Sequence, residues 1–132
     1  MHFYALFRHD PRMVALTAGS SLFVEGDPSD FMYVLIKGKA RVLLGDIVMD
    51  ELEPGAIVGE MALIDHEPRS ATVAAETDCE FACVDEKRFR FLVSETPGFA
   101  LEVMRTLAQR LRGTNHLLTD HHGKTLQSSL AS

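Results

Sequence analysis

From Met13 to Asp85 the chain is cut into short apolar and β-branched segments by turn formers: Ala18-Gly19, Gly26-Asp27-Pro28, Gly38, Gly45-Asp46 and Pro54-Gly55. Glycine supplies the positive φ and proline the fixed φ that tight turns require. Many short strands at such spacing predict a sandwich or a jelly-roll barrel. The expected strands are Met13 to Thr17, Ser21 to Glu25, Phe31 to Lys37, Lys39 to Leu44, Ile47 to Leu52, Ala56 to Val58, Ser70 to Ala75 and Asp78 to Val84. The fold expected is mainly β with helices, an eight-stranded jelly-roll β-barrel over about residues 13–85.

The strand pattern breaks at one place. Gly59-Glu60-Met61-Ala62-Leu63-Ile64 is a run of helix formers after a glycine, which predicts a single helical turn set among strands. After Val84 the period becomes helical. Asp85 reads as the N-cap of a short helix to about Val93, and Thr96-Pro97 as N-cap and first residue of a longer one. Along that helix Ala100, Met104, Leu107, Leu111, Thr114 and Leu118 recur at alternating spacings of four and three, an a/d stripe. Leu101, Val103, Ala108 and Leu117 add apolar surface on a second side. A helix of roughly 35 Å at 1.5 Å per residue exceeds what one small barrel covers, so a homodimer through this helix is expected. The domain is expected to span residues 1–119, with the C-terminal helices over about 86–119 and a polar tail at 120–132.

With 132 residues, 24% charged and 46% hydrophobic, the chain fits one globular domain. No apolar run reaches the roughly 18 residues a membrane span needs, and the opening residues lack the apolar core of a secretory signal. A cytoplasmic protein is expected. Cys79 and Cys83 are the only cysteines, and a period of two puts both on the strand face of Phe81, as reduced core residues. A net charge of −6 has the wrong sign for gripping phosphate backbones, so direct nucleic-acid binding is not expected, and the lack of a long apolar run leaves no membrane partner expected either. No P-loop, nucleophile elbow or metal-binding helix motif occurs, so no catalysis and no cofactor is expected. His116, His121 and His122 have no second ligand cluster and read as a solvated tail.

Residues 58–73 carry the chemistry. The first N–H groups of a helical turn at Glu60 attract an anion, Gly59 allows close approach to the main chain, and Glu60 accepts hydrogen bonds from a sugar hydroxyl. Arg69 offers a forked guanidinium to two oxygens of one phosphate, and Ser70 a hydroxyl donor. From the residues alone, a sugar-phosphate pocket competes with a bland alternative in which Glu60 and Arg69 form a surface ion pair of little energetic value.

Gly59-Glu60-Met61-Ala62-Leu63 and Pro68-Arg69-Ser70-Ala71-Thr72-Val73 together resemble the phosphate-binding cassette of the cyclic-nucleotide-binding domain family, whose members serve transcription regulators, kinase regulatory subunits and channels. Gly19, Glu25-Gly26-Asp27, Tyr33-Val34-Leu35-Ile36-Lys37-Gly38 and Pro54-Gly55 extend the resemblance, which runs from about Ala18 to Leu118. Val58 departs from it, standing where phenylalanine is usual. The resemblance implies a cAMP or cGMP ligand. Glu60 then binds the ribose 2′-hydroxyl and Arg69 the exocyclic phosphate oxygens, with Gly59, the N–H groups of Met61 and Ala62, and the Ser70 hydroxyl completing the cradle. Arg110-Leu111-Arg112-Gly113-Thr114-Asn115 is similar to a family stretch in which the threonine meets the base and the next residue reaches the nucleotide of the other subunit. That implies base contacts from Thr114 and Asn115, against a plain seam threonine at 114, and it favours cAMP over cGMP.

The resemblance implies a sensor that signals through its long helix to an unidentified effector protein. Residues 119–132 are too few for the helix-turn-helix that follows this helix in DNA-binding members. Two alternatives stand beside that reading: a regulatory fragment of a larger channel, kinase or transcription factor, and a protein-interaction scaffold of the same fold that binds no nucleotide.

Overall fold

The computed structural model describes residues 7–120, with the side chains of Ala62 and of residues 113–120 left out of the description. The strands are β1 Met13–Leu16, β2 Ser21–Phe23, β3 Phe31–Lys37, β4 Ala40–Leu44, β5 Ile47–Leu52, β6 Ile57–Val58, β7 Thr72–Ala75 and β8 Cys79–Asp85. Helix α1 spans Glu60–Asp65, α2 Glu86–Glu95 and α3 Pro97–Asp120.

The ladders are antiparallel and form two four-stranded sheets, ordered β1-β8-β3-β6 and β2-β7-β4-β5. The expected closed barrel is replaced by these two sheets, and among the described residues no ladder joins them. Strands mostly start and stop within two residues of the turn-based reading. The ends contract where pairing stops: β7 begins at Thr72 because Arg69 is held by the β2–β3 loop, its N–H donating to the Asp27 carbonyl (2.9 Å) while the Gly26 N–H donates to its own (2.8 Å).

The first sheet is a wall with apolar material on both sides. Met32, Val34, Ile36, Ala82 and Val84 face a core completed by Phe7, Leu63, Leu92, Phe99 and Val103. Leu35, Cys79 and Phe81 face the second sheet's Val42, Val73 and Ala75. Helices, first sheet and second sheet are therefore three layers. The double cover explains why β3 and β8 read as continuous apolar runs and not as strict alternation. Cys79 and Cys83 are free thiols, both buried.

Asp85 caps α2 as expected, its carboxylate accepting from the Arg88 N–H at 2.8 Å. That bond and the Arg12 guanidinium hold its pKa below the usual carboxylate range. The N-terminal segment is fastened to the helices here. Asp10 is ion-paired with Arg88, and the Phe7 ring meets Phe99 edge-on at 6.3 Å.

The stripe on α3 differs from the expected one. Leu107 packs with Val103 and Phe99 on the core, whereas Leu101, Met104 and Leu111 are 45%, 57% and 52% exposed. The sheet fixes the rotation of the helix: Phe99 and Val103 are the residues it buries, and their face excludes 101, 104 and 111. The exposed residues 101, 104 and 111, with the part-buried Ala108 between them, form a row at 3-4 spacing that continues in the sequence at Asn115 and Leu118.

Candidate functional site

The surface ion pair between Glu60 and Arg69 does not exist; both residues are buried, at 1% and 6% exposure, and each has other partners. Glu60 opens α1. Its carboxylate accepts from Nη1 of Arg110 on α3, at 2.7 Å to Oε1, and both oxygens are engaged by that nitrogen. Nη2 of the same guanidinium donates to the Ile57 carbonyl. One arginine of the long helix therefore clamps the start of α1 and the start of β6. Sequence reasoning assigned Arg110 no role. Its one signal was position: it lies one turn before Thr114 and on the α3 face shared by Val103 and Leu107.

Arg69 reaches inward between the sheets. Its Nη2 donates to the Phe31 carbonyl at 2.7 Å, and Nη1 makes a longer contact to the Gly59 carbonyl at 3.4 Å. The guanidinium carbon sits 4.0 Å from the Phe23 ring centroid and 5.8 Å from that of Tyr33. Among the described residues its Nε is buried with no hydrogen-bond partner. Burial pulls the guanidinium pKa down, with Tyr33, Asp30, Glu60 and Asp27 opposing in that order. Burial likewise pushes the Tyr33 hydroxyl up.

Gly59 has φ +77°, and a Cβ there would collide with Nη1 of Arg69. The glycine was expected to admit a ligand to the main chain; the neighbour it admits here is the arginine. Met61 is half-buried on α1 and Ser70 is exposed beside Arg69. The side chains of Ala62, Thr114 and Asn115 lie outside the described residues, as do His121 and His122 and the side chain of His116. The structure thus brings Gly59, Glu60 and Arg69 together at the mouth of α1, and adds Arg110, Phe23 and Tyr33 to them. Among the described residues no cluster of three or more His, Cys, Asp or Glu is placed to hold a metal. No helix there is long and apolar enough to cross a membrane.

A buried carboxylate that accepts and a buried cation with a spare donor, on either side of a helical turn, can recognise a ligand bearing both a hydroxyl and an anion. Comparison with known proteins points the same way. The cyclic-nucleotide-gated potassium channel of Mesorhizobium japonicum is 39% identical over 102 residues, covering 77% of this chain and 28% of the channel. The CRP-like cAMP-activated global transcriptional regulator of Mycobacterium tuberculosis is 30% identical over 109 residues, 77% of this chain and 48% of the regulator. The chain therefore spans about half the length, or less, of these relatives. Among solved structures, the cAMP-bound form of the EAL enzyme Bd1971 superposes with a TM-score of 0.61 at 34% identity, covering 86% of this chain and 31% of that one. Since the family profile described as "Cyclic nucleotide-binding domain" matches residues 13–96, well over half of the sequence, the chain belongs to the cyclic nucleotide-binding domain family.

Proposed function

We propose that this chain is a cAMP or cGMP sensor, with cAMP preferred, that works without catalysis and passes the occupied state on through α3. The observation that carries the reading is Arg69: a buried cation whose Nε has no partner among the described residues, nine positions after the buried carboxylate of Glu60. In this reading Arg69 binds the cyclic phosphate together with the Met61 and Ala62 N–H groups and the Ser70 hydroxyl. Gly59 keeps the backbone close, and Glu60 accepts from the ribose 2′-hydroxyl. Thr114, one turn after Arg110, meets the base, and Asn115, the next residue, reaches the nucleotide of a second chain. The solved neighbour bound to cAMP has a counterpart bound to cGMP, so the preference rests on Thr114 and Asn115. The setting proposed is cytoplasmic, and the output an unidentified effector protein or a longer chain of which this is the regulatory domain.

Titration calorimetry with cAMP, cGMP and 5′-AMP tests the reading. Micromolar affinity, about −8 kcal/mol, is expected for the cyclic nucleotides. No heat with either of them leaves only the scaffold alternative. Glu60→Gln is expected to weaken cAMP binding while leaving 2′-deoxy-cAMP almost unaffected, because only the ribonucleotide carries the hydroxyl donor. Equal loss for both ligands would refute the ribose assignment.

Transmission through α3 is supported by Arg110, which ties the ribose-side carboxylate directly to that helix. A ligand shifts an equilibrium only by binding its two states differently, and a group shared by ligand and helix supplies such a difference. The exposed Leu101, Met104 and Leu111, with the part-buried Ala108 between them and Asn115 and Leu118 at the same spacing in the sequence, have the 3-4 pattern of a two-stranded coiled coil with one polar a-type position. We therefore propose a homodimer along this row. Leu111→Asp is expected to convert dimer to monomer in sedimentation equilibrium and to weaken cAMP binding with it. A wild-type monomer at high micromolar concentration would refute the dimer.

A further inference from the structure

Phe23 lies outside the cassette, some 46 positions before the arginine it touches, yet its ring takes the face of that guanidinium. We propose that Phe23 is a positioning residue: it holds the Arg69 fork in one orientation before any anion arrives and so sets the affinity of the site. The inference rests on the reading of Arg69 as the phosphate-binding residue.

Three features carry it. The guanidinium carbon is 4.0 Å from the Phe23 centroid, inside the range in which a cation is drawn to the ring's negative face. The ring is itself braced. It lies 6.2 Å from Tyr33, and Tyr33 stands edge-on to Phe81 at 6.4 Å, a side chain with no exposure. The strand is also built to aim it: β2 pairs with β7 through Ser21–Ala74 and Phe23–Val73, with a register irregularity between the two, the kind of local bend that redirects a side chain.

The chemistry gives the ring a use that a further hydrogen-bond acceptor lacks. The carbonyls of Phe31 and Gly59 already take one N–H of each terminal nitrogen. An aromatic face stabilises the cation in its buried surroundings without claiming any of the N–H groups that remain, the buried Nε–H among them. An acidic side chain in that place would neutralise the arginine and compete with the anion. Without the ring, the long Arg69 side chain samples several rotamers in the empty site and must be ordered on binding, an entropic cost that weakens affinity.

The test uses the full chain with two substitutions and two readouts. Phe23→Leu keeps an apolar side chain but has no aromatic face, while Phe23→Tyr keeps the face. In calorimetry Phe23→Leu is expected to raise the cAMP dissociation constant roughly 3- to 10-fold, and Phe23→Tyr to stay within about twofold. In the nucleotide-free protein, the Arg69 Nε–H resonance is expected to be shifted by the ring and slow to exchange. It should lose both properties in Phe23→Leu and keep them in Phe23→Tyr, a pattern that a general loosening of β2 does not produce. Wild-type affinity in a folded Phe23→Leu variant overturns the inference. If the unmodified protein binds neither cyclic nucleotide, the functional reading fails separately. The resonance then decides: an unchanged Arg69 signal in Phe23→Leu overturns the positioning role, and its loss retains it.

Discussion

Arg69→Ala is expected to reduce cyclic nucleotide binding by 2–5 kcal/mol, roughly 30- to 4,000-fold, which takes a micromolar site to the edge of detection. The size follows from burial. Arg69 is 6% exposed, so a phosphate placed against it is largely removed from water, and without the cation its charge is left with neutral donors alone, the backbone N–H groups and the Ser70 hydroxyl. Arg69→Lys is expected to fall between: it keeps the charge but has neither the planar fork nor the flat face that rests on Phe23. Titration of both variants with cAMP checks the order, wild type tightest and Ala weakest. An Arg69→Ala variant that binds as well as wild type would exclude this site altogether.

The strands and the cassette were legible in the sequence because both are local. Gly38 shows how the turns were: with φ +92° and the Asp78 carbonyl where a Cβ would stand, no other residue fits between β3 and β4. Glu60 and Arg69 were legible because the spacing from Gly59 to Val73 is a pattern within one short segment. What escaped was whatever depends on two distant segments meeting. Arg110 pairs with a residue fifty positions earlier, and Phe23 with one forty-six later, and no period in either neighbourhood marks them. The α3 stripe failed for a related reason. Ala100, Met104 and Leu107 do lie at 4-3 spacing, yet a helix with apolar residues on several sides offers more than one such row. The choice is made by the sheet, which buries Phe99 and Val103.

Arg110→Met is expected to destabilise the nucleotide-free protein by about 3–5 kcal/mol, the range observed when one partner of a buried ion pair is removed. Glu60 is 1% exposed and both of its oxygens point at Arg110, so the substitution strands a carboxylate that water reaches poorly. The Arg110 side chain is itself 18% exposed. Some water can follow the smaller side chain in, which places the expectation at the lower end of the range. The double variant Glu60→Gln/Arg110→Met separates charge from packing. A neutral amide needs no counter-ion, so the pair together should cost less than Arg110→Met alone, a non-additivity that identifies direct contact. Arg110 also fastens α3 to the Ile57 carbonyl, and that tie is absent from both variants. Hydrogen exchange along residues 97–112 should therefore be faster than wild type in the single and in the double variant, even where global stability has recovered. Denaturant unfolding measures the first effect and exchange the second. A single variant within about 1 kcal/mol of wild type would mean that Glu60 does not depend on α3, and the long helix would then have no lever on the nucleotide site through that carboxylate.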